Sequence, residues 1–213
     1  MNTLFLNKNA FIKQLSAPLI IGFLFLGIRL YITRSPLFLF LVWNLVLATV
    51  PLFCSYVLIR KERWQKPYLF AIIFLVWLLF FPNAPYIITD FIHLEGWSQM
   101  PLWFDFILIG CFALAGLQLG LQSLLIIHEN LKWYFTNGSS HFVVVACCLL
   151  SGYGVYLGRF VRLNSWEVIT NPIKLTILAT RSLGGINTWV FSLLFGGSIL
   201  LAYYLYRKLI KID

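Results

Sequence analysis

Residues 68–94 read YLFAIIFLVWLLFFPNAPYIITDFIHL, and this stretch decides the fold. Its first part, 68–81, has no charged residue and is apolar on every face of a helix, the pattern of a segment surrounded by lipid or by other apolar helices. A helix rises 1.5 Å per residue, so so short a run crosses only part of a ~30 Å hydrocarbon core. It then meets Pro82-Asn83-Ala84-Pro85, where two residues lack an N–H donor and crowd the preceding turn. The helix is expected to break there. Asn83 is placed to cap a new helix with Pro85 in its first turn, making 86–94 a second half-helix. On such a helix Tyr86, Asp90 and His93 share one face, with Thr89 alongside. Broken helices at membrane depth need cover from protein or a water-filled cavity. The break is therefore either a binding element of the kind transporters use or an interfacial turn of the chain.

The same apolar character recurs on both sides of this stretch. Spans are predicted at 15–32, 36–59, 68–81, 102–127, 142–158 and 188–206. The expected fold class is all-α: a polytopic membrane helix bundle of about six transmembrane helices with a broken third helix. Composition agrees, because 61% hydrophobic and 11% charged residues with a mean hydropathy of +0.87 lie far from the roughly 25% charged of soluble domains. Six spans use most of the 213 residues, so 1–213 reads as a single integral membrane domain. The basic segment 1–13 leads into apolar residues without a small-residue cleavage site, which predicts a retained first span. Cys54, Cys111, Cys147 and Cys148 all fall inside apolar segments and read as core residues, not as a disulfide framework.

The net charge of +9 does not point to nucleic acid, because the basic residues sit at segment ends and not along one soluble face. With six crossings, Lys8, Lys13, Arg60, Lys61, Arg63, Lys66, Lys132, Arg207, Lys208 and Lys211 share one side, ten positives against six on the other. The positive-inside rule then places both termini in the cytoplasm and the protein in the cell (cytoplasmic) membrane. Most of the eight tryptophans lie near segment ends, where an amphipathic indole suits the headgroup zone. Gly116 with Gly120, and Gly154 with Gly158, form G-x-x-x-G pairs read as close packing within the bundle.

Polar groups inside or beside spans are costly and tend to pair or to line a functional path. Placed by depth, they gather on the outer side. Asp105 lies about one turn into the fourth span, and Arg159 and Arg162 follow the end of the fifth. Asp90, His93 and Glu95 belong to the loop between the third and fourth. The expected site combines Asp90, His93 and Asp105 as acid, base or relay groups with Asn83, Tyr86, Arg159, Arg162 and Asn164 as binding groups. A purely structural alternative has Asp90 and Asp105 hold Arg159 or Arg162 in bidentate pairs that lock the bundle. By contrast His128, Glu129, Lys132 and His141 read as a solvated inner loop, and Asn137-Gly138-Ser139 as a turn. Asn171-Pro172 opens a mixed segment through Thr180 that suits a helix lying in the outer interface, or a re-entrant cover over the site.

Three strings of this sequence occur together: Pro82-Asn83-Ala84-Pro85-Tyr86 with Asp90 and His93-Leu94, then Pro101-Leu102-Trp103-Phe104-Asp105, then Tyr156-Leu157-Gly158-Arg159-Phe160 with Arg162 and Asn164-Ser165-Trp166. In this combination the chain resembles the domain of unknown function 1361 family, a group of bacterial multi-pass membrane proteins, from about the second span onward. The resemblance implies an integral membrane protein in which Asn83, Asp90, His93, Asp105, Arg159, Arg162 and Asn164 belong to the family pattern. It implies no reaction.

Several functions fit the residues. One is transport or binding of an anionic or lipid-linked substrate, with the arginines on the anion and Asp90 with His93 relaying protons. The absence of an internal repeat counts against a self-contained transporter, so a homo-oligomer or a partner membrane subunit is expected. Another is a membrane-embedded enzyme acting on a lipid or lipid-linked substrate, with His93 as acid or base. A third is a non-catalytic accessory subunit. Asp90, His93 and Asp105 are a sparse set for zinc, and nothing matches H-E-x-x-H, G-x-S-x-G or a phosphate loop. No metal is therefore expected, and the cofactor stays unknown.

Overall fold

The computed structural model describes residues 8–58, 67–94, 99–132 and 136–210. Among these residues there is no strand, and six helical stretches are long and apolar enough to cross a membrane. Helix α1 is Lys8–Thr33; a short 3-10 turn, Leu37–Leu39, leads into α2, Phe40–Leu58. The third crossing comprises α3, Pro67–Phe80, the single turn α4, Asn83–Tyr86, and a 3-10 helix, Ile87–Leu94. Then follow α5, Leu102–Leu131, and α6, Asn137–Tyr156, which ends in a π-helical turn, Leu157–Val161. Two short helices, α7 (Glu167–Thr170) and α8 (Pro172–Ser182), precede the last crossing, α9, Ile186–Leu209. The chain is a multi-pass integral membrane protein, and each predicted span coincides with a crossing. Glu95 and Trp97, with the basic residues 60–66, lie outside the described residues.

Helix α5 is the axis of the bundle. At 30 residues it is about 45 Å long, and α1, α2, α4, the 3-10 helix, α6 and α9 all pack on it. Its buried side runs from Phe104 to Leu131, whereas the other helices turn large apolar side chains outward, Ile20, Phe53, Leu75 and Leu194 among them. An apolar exterior over a partly polar interior is what a lipid solvent selects.

The break in the third crossing is held by glycines of its neighbours. A methyl carbon on Gly120 would come within 2.7 Å of the Ala84 Cβ, and one on Gly154 within 2.5 Å of the Pro82 Cγ. The two predicted G-x-x-x-G pairs thus serve one purpose, closing α5 and α6 around the turn 82–86. Inside the bundle Trp77 is fully buried in a ladder with Phe74 and Phe81, so this indole is not at an interface.

Three local expectations are corrected. Residues 86–94 do not form an α-half-helix: beyond Tyr86 the chain winds as 3-10, with three residues per turn. Asp90 and His93 therefore stand in one row and Tyr86 and Thr89 in the next. Asn83 does not cap this segment; the cap position is Pro82. Residues 137–139 are no turn but the start of α6, where the Thr136 hydroxyl accepts from the Ser139 N–H at 3.3 Å. Nor is His128 in a solvated loop. It is fully buried near the end of α5, its Nδ1 2.5 Å from the Tyr203 hydroxyl and its ring T-shaped against His141. Beside it Glu129 bridges Lys132 and Arg207.

Candidate functional site

Breaking a helix frees carbonyls, and at membrane depth they must find donors. In a continuous helix the Asn83 and Ala84 N–H groups would serve the Leu79 and Phe80 oxygens, but the Ala84 N–H turns to Phe81 O. Side chains take over. Ser165 donates its hydroxyl to Leu79 O at 3.1 Å, and Asn83 donates Nδ2 to Phe80 O at 3.0 Å and to Ser165 Oγ at 3.1 Å. Asn83 and Ser165 thus join the break to the segment that follows the fifth crossing.

Arg159 occupies the π turn at the end of α6. A π turn carries an extra residue per ring and reorients the side chains beyond it, and here it aims Arg159 along the 3-10 helix. Each nitrogen of the guanidinium has a partner. Nε donates to Thr89 Oγ1 at 2.9 Å, Nη1 faces His93 Nε2 at 3.3 Å, and Nη2 donates to Asp90 Oδ1. Its flat face lies 4.5 Å above the Tyr86 ring. The second oxygen of Asp90 accepts from Asn44 Nδ2 at 2.9 Å, which ties α2 into the same network. The turn ends at Arg162, which takes the left-handed conformation, φ 61°, a backbone state that a side chain with a Cβ adopts at a cost of about 1–2 kcal/mol.

Of the residues the sequence singles out, Asp90, His93, Tyr86 and Arg159 meet in this network, and Asn83 and Asn164 border the cavity beside it. Asp105 does not join them. It forms a bidentate pair with Arg29 of α1, at 2.8 and 3.3 Å, with the Phe38 ring 3.7 Å from the Arg29 guanidinium carbon. Arg162 is exposed and makes no ion pair among the described residues. The expected single cluster is therefore two Arg–Asp pairs in different places.

The cavity has a volume of about 200 Å³ and lies between α2, the break and the 163–175 segment. Asn44, Asn83, Tyr86, Asn164 and Ser165 supply its polar wall. Trp43 and Trp166, which meet edge to face with centroids 6.3 Å apart, close one side. Among the described residues no charged side chain lines it. Its cover is pinned outside the spans: the Glu167 carboxylate accepts from the Asn164 N–H at 2.6 Å and from Lys174 at 3.2 Å. Those two donors hold the carboxyl below its ordinary range. Tyr153 adds a hydroxyl bond to Ala179 O at 2.8 Å.

Sequence reasoning missed Asn44, Trp43 and Arg29. A lone amide within an apolar span is itself a signal, since an unpartnered polar group is costly there. Arg29, near the end of the first span, reads as a topological charge. Among the described residues no group of three or more His, Cys, Asp and Glu side chains is arranged to hold a metal.

No curated protein and no solved structure matches the chain. The family model described as Protein of unknown function (DUF1361) matches residues 43–202, a segment holding the break, the cavity wall and Arg159 but not Arg29. With three quarters of its length matched, the chain belongs to the DUF1361 family.

Proposed function

We propose that this protein is a membrane-embedded binding or transport module that holds the polar end of a lipid or lipid-linked molecule in its outer half. The observation that carries this reading is the covered cavity beside the broken helix, whose wall is polar and aromatic and whose supporting network is already complete. A polar void of this kind at membrane depth is costly unless water or a ligand fills it. Exposed tryptophans at its edge support an entrance at the level of lipid head groups.

The network supports binding over catalysis. Because Arg159 can only donate, His93 Nε2 accepts from it, and the atom a general base would use is occupied. The ten-to-six division of basic residues supports cytoplasmic termini in the cytoplasmic membrane. Two of the six, Arg29 and Arg159, are moreover neutralised by buried aspartates. A fluorescent cytoplasmic reporter fused after Asp213 should glow; activity of a periplasmic reporter at that position would reverse the orientation.

Filling the cavity tests the function. Leu175 belongs to the lining and sits on the peripheral α8, so Leu175→Trp should occupy the space without disturbing the bundle. Protein purified in mild detergent should carry a lipid adduct in native mass spectra, and the variant should lose it. Identical adducts in both would refute the proposal.

A further inference from the structure

We infer that the group this cavity takes is uncharged and rich in hydroxyls, the sugar or polyol end of a lipid or the same group free in solution. The inference rests on the binding reading above and follows from what each lining atom has left to offer. Asp90 as a carboxylate only accepts, so Asn44 must turn its amide nitrogen toward it, leaving Oδ1 as an acceptor beside one remaining N–H. Asn83 uses Nδ2 on Phe80 and Ser165, and again the carbonyl oxygen remains. Tyr86 offers its hydroxyl and Asn164 its whole amide, neither with a side-chain hydrogen bond among the described residues.

An anion does not fit this set. It calls for a positive charge in the wall, whereas among the described residues no charged side chain lines the cavity, and Arg159 is turned toward Thr89, His93 and Asp90 instead. A cation fits no better. Asp90 and Glu167 are already paired with Arg159 and Lys174 and neither lines the cavity, and the positive Arg159 already covers one face of Tyr86. A hydroxyl both donates and accepts, which matches two spare carbonyl oxygens, a phenol and an amide. The indoles of Trp43 and Trp166 and the Tyr86 ring provide apolar walls for the C–H faces of a saturated ring. Size agrees as well: about 200 Å³ holds roughly six or seven waters and falls below the range of about 300–1,000 Å³ for drug-sized ligands. A head group fits, a whole lipid does not.

The full chain in detergent is titrated with four probes: a diacylglycerol carrying one uncharged hexose, phosphatidylglycerol, phosphatidylcholine and a free methyl hexoside. Binding is read by native mass spectrometry and tryptophan fluorescence. The hexose lipid should bind saturably, weaken at least tenfold in Tyr86→Phe, which keeps the ring under Arg159, and weaken similarly in Asn164→Leu. Competition by the methyl hexoside at comparable concentration identifies the free sugar as sufficient; binding of the lipid form alone identifies the anchored one, and either agrees with the inference. If phosphatidylglycerol or phosphatidylcholine binds in a way that Leu175→Trp abolishes while the hexose lipid does not, the head-group class is wrong and the cavity still binds lipid. If no probe responds to Leu175→Trp or to Tyr86→Phe, the binding reading falls with it.

Discussion

The bundle contains two buried arginine–aspartate pairs that differ in almost everything except chemistry. Arg29 and Asp105 are sealed, with side chains 1% and 2% exposed, and their company is an aromatic ring. Arg159 is 11% exposed and shares its aspartate with Asn44, while Thr89 and His93 meet its other two nitrogens and Tyr86 one face. The first joins two helices, α1 and α5, at one point. The second joins α2, the 3-10 helix and the π turn, and its partner Asn44 forms part of the cavity wall. A charge pair closed on itself is a fastener, whereas one whose partners reach a cavity sets the shape of that cavity.

Breaking the sealed pair should have the largest effect. Asp105→Ala leaves Arg29 charged, buried and without its carboxylate, a situation that costs about 3–5 kcal/mol, and accumulation and melting temperature should fall sharply. Replacing both partners by apolar residues, Arg29→Met with Asp105→Leu, should recover most of that loss. Ligand retention by the double variant should equal that of the wild type, since neither residue reaches the cavity. Lost retention at full stability would contradict the division of roles.

Arg159→Lys should cost less stability and more function. Lysine keeps the charge for Asp90 but lacks the planar fork, so the bonds to Thr89 and His93 are lost. Hydrogen bonds to charged groups are worth about 1.5–3 kcal/mol, and a melting shift of that order is expected in detergent. Retention of the cavity ligand should drop because Tyr86 loses the guanidinium above it. A variant that melts early yet binds normally would reduce this pair to a second fastener.

How far the sequence carries the comparison depends on the physical signal each part leaves. Spans are legible because lipid requires long apolar runs, and the break because Pro82 and Pro85 cannot complete a helix. Depth alone brings Asp90, His93 and Arg159 near one another. The partner of Asp105 was not legible: Arg29 near a span end resembles any topological charge, and only packing of α1 on α5 distinguishes it. Asn44 has no repeat or motif around it. The 3-10 winding of 87–94 depends on what Arg159 and α5 accept as neighbours, which local propensity does not encode. His128 lies close enough to the end of an apolar run to look solvated, because α5 continues for another turn than the hydropathy suggests.

A smaller effect separates the break from the helix ends. Gly154→Ala places a methyl against Pro82, and overpacking of this kind costs about 1–3 kcal/mol. Gly138, in the first turn of α6, has open space around it among the described residues, and an alanine there should stabilise by about 0.4–1 kcal/mol through the unfolded chain. Opposite signs in thermal melts are expected. A neutral Gly154→Ala would mean that the break can slide along α6.

The smallest expected change concerns the cover and not either pair. Glu167 lies outside the spans, and the Asn164 N–H and Lys174 hold its carboxyl below the ordinary value of 4.5. A group with a depressed folded pKa stabilises fully above its ordinary value and loses that contribution as pH falls through the folded one. The cover should therefore be firmly held at neutral pH and loosen only in acid, below about pH 4.5. Trp166 sits next to this carboxylate and against Trp43, so its fluorescence should report the loosening. Glu167→Gln removes the titration but keeps an acceptor oxygen for the Asn164 N–H, and it should flatten that acid response while leaving the melting temperature at neutral pH nearly unchanged. An acid transition of the same size in the variant would place its origin in a group other than Glu167.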